Sequence, residues 1–481
     1  MRTTAAILVA AVLAGCGGRL RPRMDESTSS LDYTDYGSAP VRDEIRTLPL
    51  KDILWEYKFS KEVKRITLGS GNLYIETPDN DVIAVDRFSG VAQWVYHIDT
   101  NTALDWAPVE AAGVPENIRA LEAKLTAKNR DIDNMLKTKG PGKETQDLQK
   151  QRDQLREQLK VEQFGDNVYF ISRQVMYCLV RSTGNLLWAK QLRAFVPGGR
   201  PYAIRSHVFV PGSELARVWA LDVTKKGVDV AFYKTYLGGH DKQITAQPVY
   251  NDPSLYFVSH DGYIYSYSLQ GNKNWTYPDP TAPAPRDEIQ ADPVIHRFGY
   301  GYSEMKEDAT GKKLVKKVFD VTYLFVGGFD HAFYSIDATS GALLWKYETA
   351  GQIKTAAVGK DQTVYVKTEG GALFALDMFP MHRNKKGEID IPKSGGEWPW
   401  MRHGILRWKL PLGERFLVKG KERVYVMGPN NEIYQMDEMT GDVIGRYPMN
   451  LLQHIVTNPI DNILYVANSA GYVFALRESK D

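Results

Sequence analysis

Three His–Asp pairs are the residues of this 481-residue chain best suited by type and spacing to chemistry. His240 and Asp241 are adjacent in "GGHDKQ", His260 and Asp261 in "SHDGY", and Asp330 and His331 in "GGFDHAF". Imidazole nitrogens and carboxylate oxygens together ligate transition metals. Asp is equally at home in tight turns, which His tolerates, so a turn role stands beside the metal role. A second group is aromatic: Trp398 and Trp400 flank a proline in "GGEWPWMRHG", with Arg402 and His403 beside them. Such rings can stack on a sugar, form a hot spot for a protein partner, or pin their own loop to the fold. The sequence has no Gly-x-Ser-x-Gly elbow, no P-loop and no dinucleotide fingerprint. With 60 Lys and Arg against 58 Asp and Glu, the net charge of +2 gives no general attraction to nucleic acid.

The chain opens with "MRTTAAILVAAVLAGC". Arg2 makes a short positive region, and the apolar run Thr3 to Val12 is too short to span a bilayer. Leu13-Ala14-Gly15-Cys16 resembles the bacterial lipoprotein box. That resemblance implies removal of residues 1–15 as a signal peptide and lipidation of Cys16, whose acyl chains would anchor the protein stably. Gly17 in place of Asp then favours the outer membrane. Residues 16–50, rich in Gly, Ser, Asp, Pro and Arg, read as a flexible tether. With Cys16 lipidated, Cys178 has no disulfide partner, and its apolar setting "VMYCLV" marks it as a core residue.

What would position the His–Asp pairs is a repeat. A Gly followed four residues later by Trp occurs at Gly90–Trp94, Gly184–Trp188, Gly271–Trp275, Gly341–Trp345 and Gly404–Trp408. Upstream lie matching segments such as "LYFVSHDGYIYSYS", "YLFVGGFDHAFYSID", "TVYVKTEGGALFALD" and "ILYVANSAGYVFAL". The unit recurs at about 40 residues, stretched by insertions, and alternates apolar and polar residues in short aromatic and β-branched runs. It predicts four antiparallel strands: A as in 354–359, B as in 363–368, C as in 372–377, and D carrying the Trp. Such units make β-propeller blades. Gly supplies the positive φ of the C–D turn, and the Trp packs between blades. Eight B–C hairpins predict eight blades. The last copy lacks a strand D, and "DILWEYKF" (52–59) with Trp55 supplies it as a clasp that removes the open edges. The expected fold is therefore all-β, an eight-bladed propeller over 51–481, its inter-blade tryptophans Trp55, Trp94, Trp188, Trp275, Trp345 and Trp408.

These units resemble the quinoprotein-type (PQQ-like) propeller repeat. With the lipoprotein box and tether, the chain resembles the BamB family of outer-membrane lipoproteins of the barrel-assembly machinery, over roughly residues 50 to 478. The resemblance implies a monomeric, non-catalytic scaffold without a cofactor. It would face the periplasm from the outer membrane, and its partners would be proteins of that machinery. Quinoprotein alcohol dehydrogenases share the propeller, so a quinoprotein-like enzyme or metal-binding propeller is one alternative. The chain lacks the adjacent cysteine pair and the Cys-x-x-Cys-His haem motif of that group. A cell-wall glycan binder using Trp398 and Trp400 is another.

The chain departs from the BamB family in its length and its insertions. Residues 113–165 read as an antiparallel helical hairpin in the A–B loop of blade 2. Ile118, Leu121, Leu125, Ile132 and Met135 recur at helical spacing, Gly140-Pro141-Gly142 breaks the helix, and Leu148, Leu155 and Leu159 resume it. Further insertions are expected as loops at 298–318 (A–B, blade 5) and 378–403 (C–D, blade 6). All three leave by one face, and the His–Asp pairs lie on the opposite one. The expected partner contacts are Leu125, Ile132, Leu148 and Leu155 on the hairpin, with Trp398 and Trp400.

Overall fold

The computed structural model describes residues 39–98, 104–111, 115–164, 167–192, 196–213, 217–223, 231–237, 242–279, 287–308, 311–380 and 403–479. Among these residues, thirty-two strands form eight four-stranded antiparallel sheets. Seven sheets are local meanders, spanning 65–97, 106–191, 202–237, 249–277, 294–348, 358–411 and 415–448. The eighth combines His454–Ile455, Ile463–Ala467 and Tyr472–Arg477 with the first strand, Asp52–Lys58. Asp52 lies opposite Arg477 and Lys58 opposite Tyr472, so the two ends of the chain close the ring. This is the eight-bladed propeller with the clasp that the Trp-bearing first strand predicts.

The cause is visible in each blade's strand B. Residues such as Leu73, Tyr74 and Ile75, or Val364, Tyr365 and Val366, are buried on both faces because each sheet has a neighbour on either side. Large apolar and aromatic residues fill these inter-blade layers, and each core cluster draws on two adjacent sheets.

Strand A of blade 6 is Val358–Lys360 rather than 354–359, and three larger features differ from the sequence expectation. Residues 39–50 are not tether. Ala39–Arg46 form a helix, α1, and Val41, Ile45, Leu48 and Leu50 are buried against blades 7 and 8. Here blade 7 has Gly445 where six other blades carry Trp. The apolar side chains of α1 and the turn after it pack in the same seam, so a missing indole coincides with an added helix. Second, 298–318 is not a loop. Strands A and B of blade 5 simply continue, as Val294–Asp308 and Gly311–Gly327, paired in unbroken register to Asp308 opposite Gly311. Third, Gly404 does not adopt positive φ, unlike Gly90, Gly184, Gly271 and Gly341, because the insertion before it replaces the tight turn.

The blade 2 insertion is helical, with α2 (Pro115–Lys139) and α3 (Lys143–Phe164) packed as an antiparallel pair. Gly140 takes the left-handed conformation at the end of α2. No helix among the described residues is long and apolar enough to cross a membrane. The expected signal peptide, Cys16 and residues 16–38 of the expected tether lie outside the described residues.

Candidate functional site

The Gly-x-x-x-Trp spacing resolves into a joint between neighbours. In the C–D turn of blade 1, the Asp86 carboxylate accepts the Phe88 and Ser89 amides at 3.0 and 2.8 Å. Asp437 does the same for Met439 and Thr440. These turns leave one carbonyl aimed sideways, and the Trp of the preceding blade donates to it: Trp55 to Arg87 O at 2.9 Å, Trp94 to Arg181 O at 2.7 Å, Trp275 to Ala338 O at 3.0 Å, and Trp408 to Glu438 O at 2.9 Å. The turn glycine sits on the indole: a Cβ at Gly90, Gly184, Gly341 or Gly441 would meet Trp55, Trp94, Trp275 or Trp408 at 2.4–2.7 Å. The other side of each Trp meets the aromatic residue of its own strand B, as for Trp94 and Tyr74, Trp188 and Tyr169, or Trp345 and Phe325. The six tryptophans are therefore packing residues, five of them buried and Trp275 half-buried. The closing seam adds an ion pair, Arg87 to Asp461 at 3.0 Å, with Arg87 3 % exposed.

This rigid disc presents the insertions. In an antiparallel meander the A–B and C–D connections leave by one edge of the sheet, so the helical hairpin and the blade 5 β-hairpin rise from the same face. The root of the helical hairpin is fixed. Glu110, the last residue of strand A in blade 2, accepts from Ser70 Oγ (2.7 Å), the Gly71 and Asn72 amides (3.0 and 3.1 Å) and Tyr74 OH (2.9 Å) in blade 1. The next residue, Ala111, donates its amide to Asn167 O, where the chain returns. Sequence reasoning missed Glu110, although a carboxylate closing a strand just before a long insertion is a readable signal.

Of the expected hairpin contacts, Ile132 is only 5 % exposed, packed within the hairpin and closed to a partner. Leu125, Leu148 and Leu155 are half-buried, and Leu136, unremarked in the sequence, is 41 % exposed. Lys128 bridges the helices to Gln151 at 3.0 Å. Trp398 and Trp400 lie outside the described residues. Where the blade 6 insertion returns, His403 pairs in parallel with Lys346 on the outer strand of blade 5, and Gly404 covers Trp345.

On the opposite face the His–Asp pairs are occupied with turns. Asp261 accepts the Tyr263 amide at 3.0 Å and the Tyr265 hydroxyl at 2.7 Å. Asp330 accepts the Tyr334 hydroxyl. His331 sits at φ 61°, and its carbonyl receives the Thr349 amide and hydroxyl. His260 pairs through Nε2 with Thr245 Oγ1 at 2.8 Å and lies 3.3 Å from Glu288. Burial holds its imidazole below the usual value, against the pull of Glu288. His240 and Asp241 lie outside the described residues. Among the described residues no group of three or more His, Cys, Asp or Glu is placed to hold a metal ion. Cys178 is buried, and burial pushes its thiol up to about 12, which suits a core residue.

A family model described as outer membrane protein assembly factor BamB matches residues 50–229 and 302–378, more than half of the chain. The chain belongs to the BamB family. The crystal structure of BamB from Moraxella catarrhalis is similar at a TM-score of 0.53 and 12 % identity, covering 89 % of this chain and 98 % of that one. That likeness concerns the fold. A computationally designed protein, Ika8, aligns at a TM-score of 0.48 and 11 % identity over 87 % of this chain and 97 % of its own. No curated protein matches the sequence. Within the BamB family match fall the root of the helical hairpin, Glu110, and the first two Trp–Gly joints.

Proposed function

We propose that this BamB-family propeller is a non-catalytic scaffold, anchored through lipidated Cys16 to the outer membrane and facing the periplasm, where it assists the assembly of outer-membrane proteins. The family match over residues 50–229 and 302–378 is the observation that carries this reading. Geometry supports it: the seams spend their aromatic residues on packing, and the added structure rises from one face on fixed roots. Leu125, Leu136, Leu148 and Leu155 on the helical hairpin, together with Trp398 and Trp400, are the proposed contacts. Large rigid surfaces of this kind suit binding of other proteins.

The test is detergent solubilisation of the tagged, full-length lipoprotein from its native membrane, with and without residues 113–165. The reading expects barrel-assembly proteins to co-purify and to fade with the deletion. Recovery of the protein alone from both membranes, with circular dichroism showing both forms folded, contradicts it.

A further inference from the structure

The seam between blades 7 and 8 holds α1. One blade further on, the corresponding seam between blades 8 and 1 holds an open cleft. Its walls are Tyr57, Phe59, Ile83, Ala92 and Val95, with Gln93 inside and Lys61 and Asp81 at one end. The strand registers align the two places, except that Trp55 stands where Gly445 does, so Tyr57 leans on Phe59 with ring centroids 4.3 Å apart whereas Tyr447 lies over Gly445. Tyr472 faces Lys58 in blade 8 as Asp81 faces His97 in blade 1, and Phe474 faces Glu56 as Ile83 faces Val95. Likewise Tyr447 of blade 7 corresponds to Tyr57 of blade 8, and Met449 to Phe59. Tyr447, Met449, Tyr472, Phe474 and Ile53, all in the cluster that receives α1, thus have Tyr57, Phe59, Asp81, Ile83 and Ala92 as counterparts in the cleft.

We propose that this cleft receives a short amphipathic helix of another protein, seated as α1 is seated next door. One further observation favours a helix with an acidic residue. Glu44 of α1 caps the Asn450 and Leu451 amides. The counterpart amides are those of Ser60 and Lys61, which no described side chain caps. The occupant therefore presents two apolar residues four apart, as Val41 and Ile45 are, with an acid three residues after the first, as Glu44 is. The cleft lies apart from the helical hairpin, and the proposal does not depend on the assembly role.

The chain's own sequence supplies a probe. A fluorescent peptide of residues 39–50 is titrated into the full chain and into Ala92→Trp, whose indole fills the cleft. Saturable binding is expected to the wild-type chain and to be lost in Ala92→Trp; Glu44→Lys in the peptide, which needs no change to the protein, weakens it about tenfold or more. The α1 seat is already filled by a tethered helix, so binding there is outcompeted. No saturable binding, or binding unchanged in Ala92→Trp, overturns the proposal. A benzophenone cross-linker at Ala92, in the full chain in its native membrane, then reads the occupant. A sequenced cross-link to an amphipathic, acid-bearing helix of another polypeptide supports the proposal. Cross-links only to lipid, or only to residues 1–38 of the same chain, overturn it.

Discussion

A Cβ on Gly184 would lie 2.6 Å from the indole of Trp94, while Gly184 itself holds a φ of 69°. Neither half of the Gly-x-x-x-Trp motif serves its own blade alone: the Gly receives the Trp behind it, and the Trp reaches the turn ahead. Gly184→Ala meets both a backbone penalty and a ring that cannot retreat. It should destabilise the propeller by about 3 kcal/mol. At Gly140, with φ 73° in the hairpin turn, a Cβ would meet nothing within 4 Å. Gly140→Ala should cost only about 1 kcal/mol. Guanidine denaturation of both variants checks the difference; equal losses would mean that the Trp94 contact is not tight.

The indole N–H groups are unequal. Trp94 donates to Arg181 O at 2.7 Å, whereas the buried Trp345 Nε1 has no acceptor. Trp94→Phe should therefore cost about 1 kcal/mol more than Trp345→Phe, because it also strands a carbonyl. The same denaturation midpoints measure it.

Ile45 is fully buried on the inner side of α1, in the seam where Gly445 replaces the usual Trp. Ile45→Ala should cost about 3 kcal/mol through the cavity it opens. A tether would feel no such change, so a loss below about 0.5 kcal/mol, the range of ordinary surface substitutions, would return residues 39–50 to that role.

Burial lowers the imidazoles of His207, His260, His296 and His454 from their ordinary value of 6.5. The unfolded chain then binds protons that the folded chain refuses. Stability is full above the unfolded value and falls as pH drops through 6.5 towards the lowered folded values. Denaturation midpoints at pH 8 and pH 5.5 should show this loss, and His260→Gln should reduce it. A wild-type midpoint that rises on acidification contradicts the assignment.

The blades were legible because their signal is local and repeated. "TVYVKT" and "ALFALD" name strands B and C of blade 6 to the residue, and Trp55 marks a strand D with no blade of its own. Helix α1 was hidden because its eight residues sit in a polar, Gly- and Ser-rich stretch; only the missing Trp at Gly445 hints that something else must fill the seam. The blade 5 extension read as a loop because its charged, Lys-rich strands lack the two-sided apolar pattern of a buried blade. His260, Asp261, Asp330 and His331 carried the residue types of a metal site, but type alone does not fix direction. Asp261 and Asp330 point their carboxylates at neighbouring tyrosines of their own hairpins.

The proposed role in outer-membrane assembly is tested most directly by the rate at which newly made β-barrels become heat-modifiable in pulse-labelled cells with and without this protein. Assembly should be slower without it, restored by the full-length chain and not by a chain with Cys16→Ser that fails to reach the outer membrane. Unchanged assembly in its absence, with the wild-type protein recovered in the outer membrane, would contradict the account.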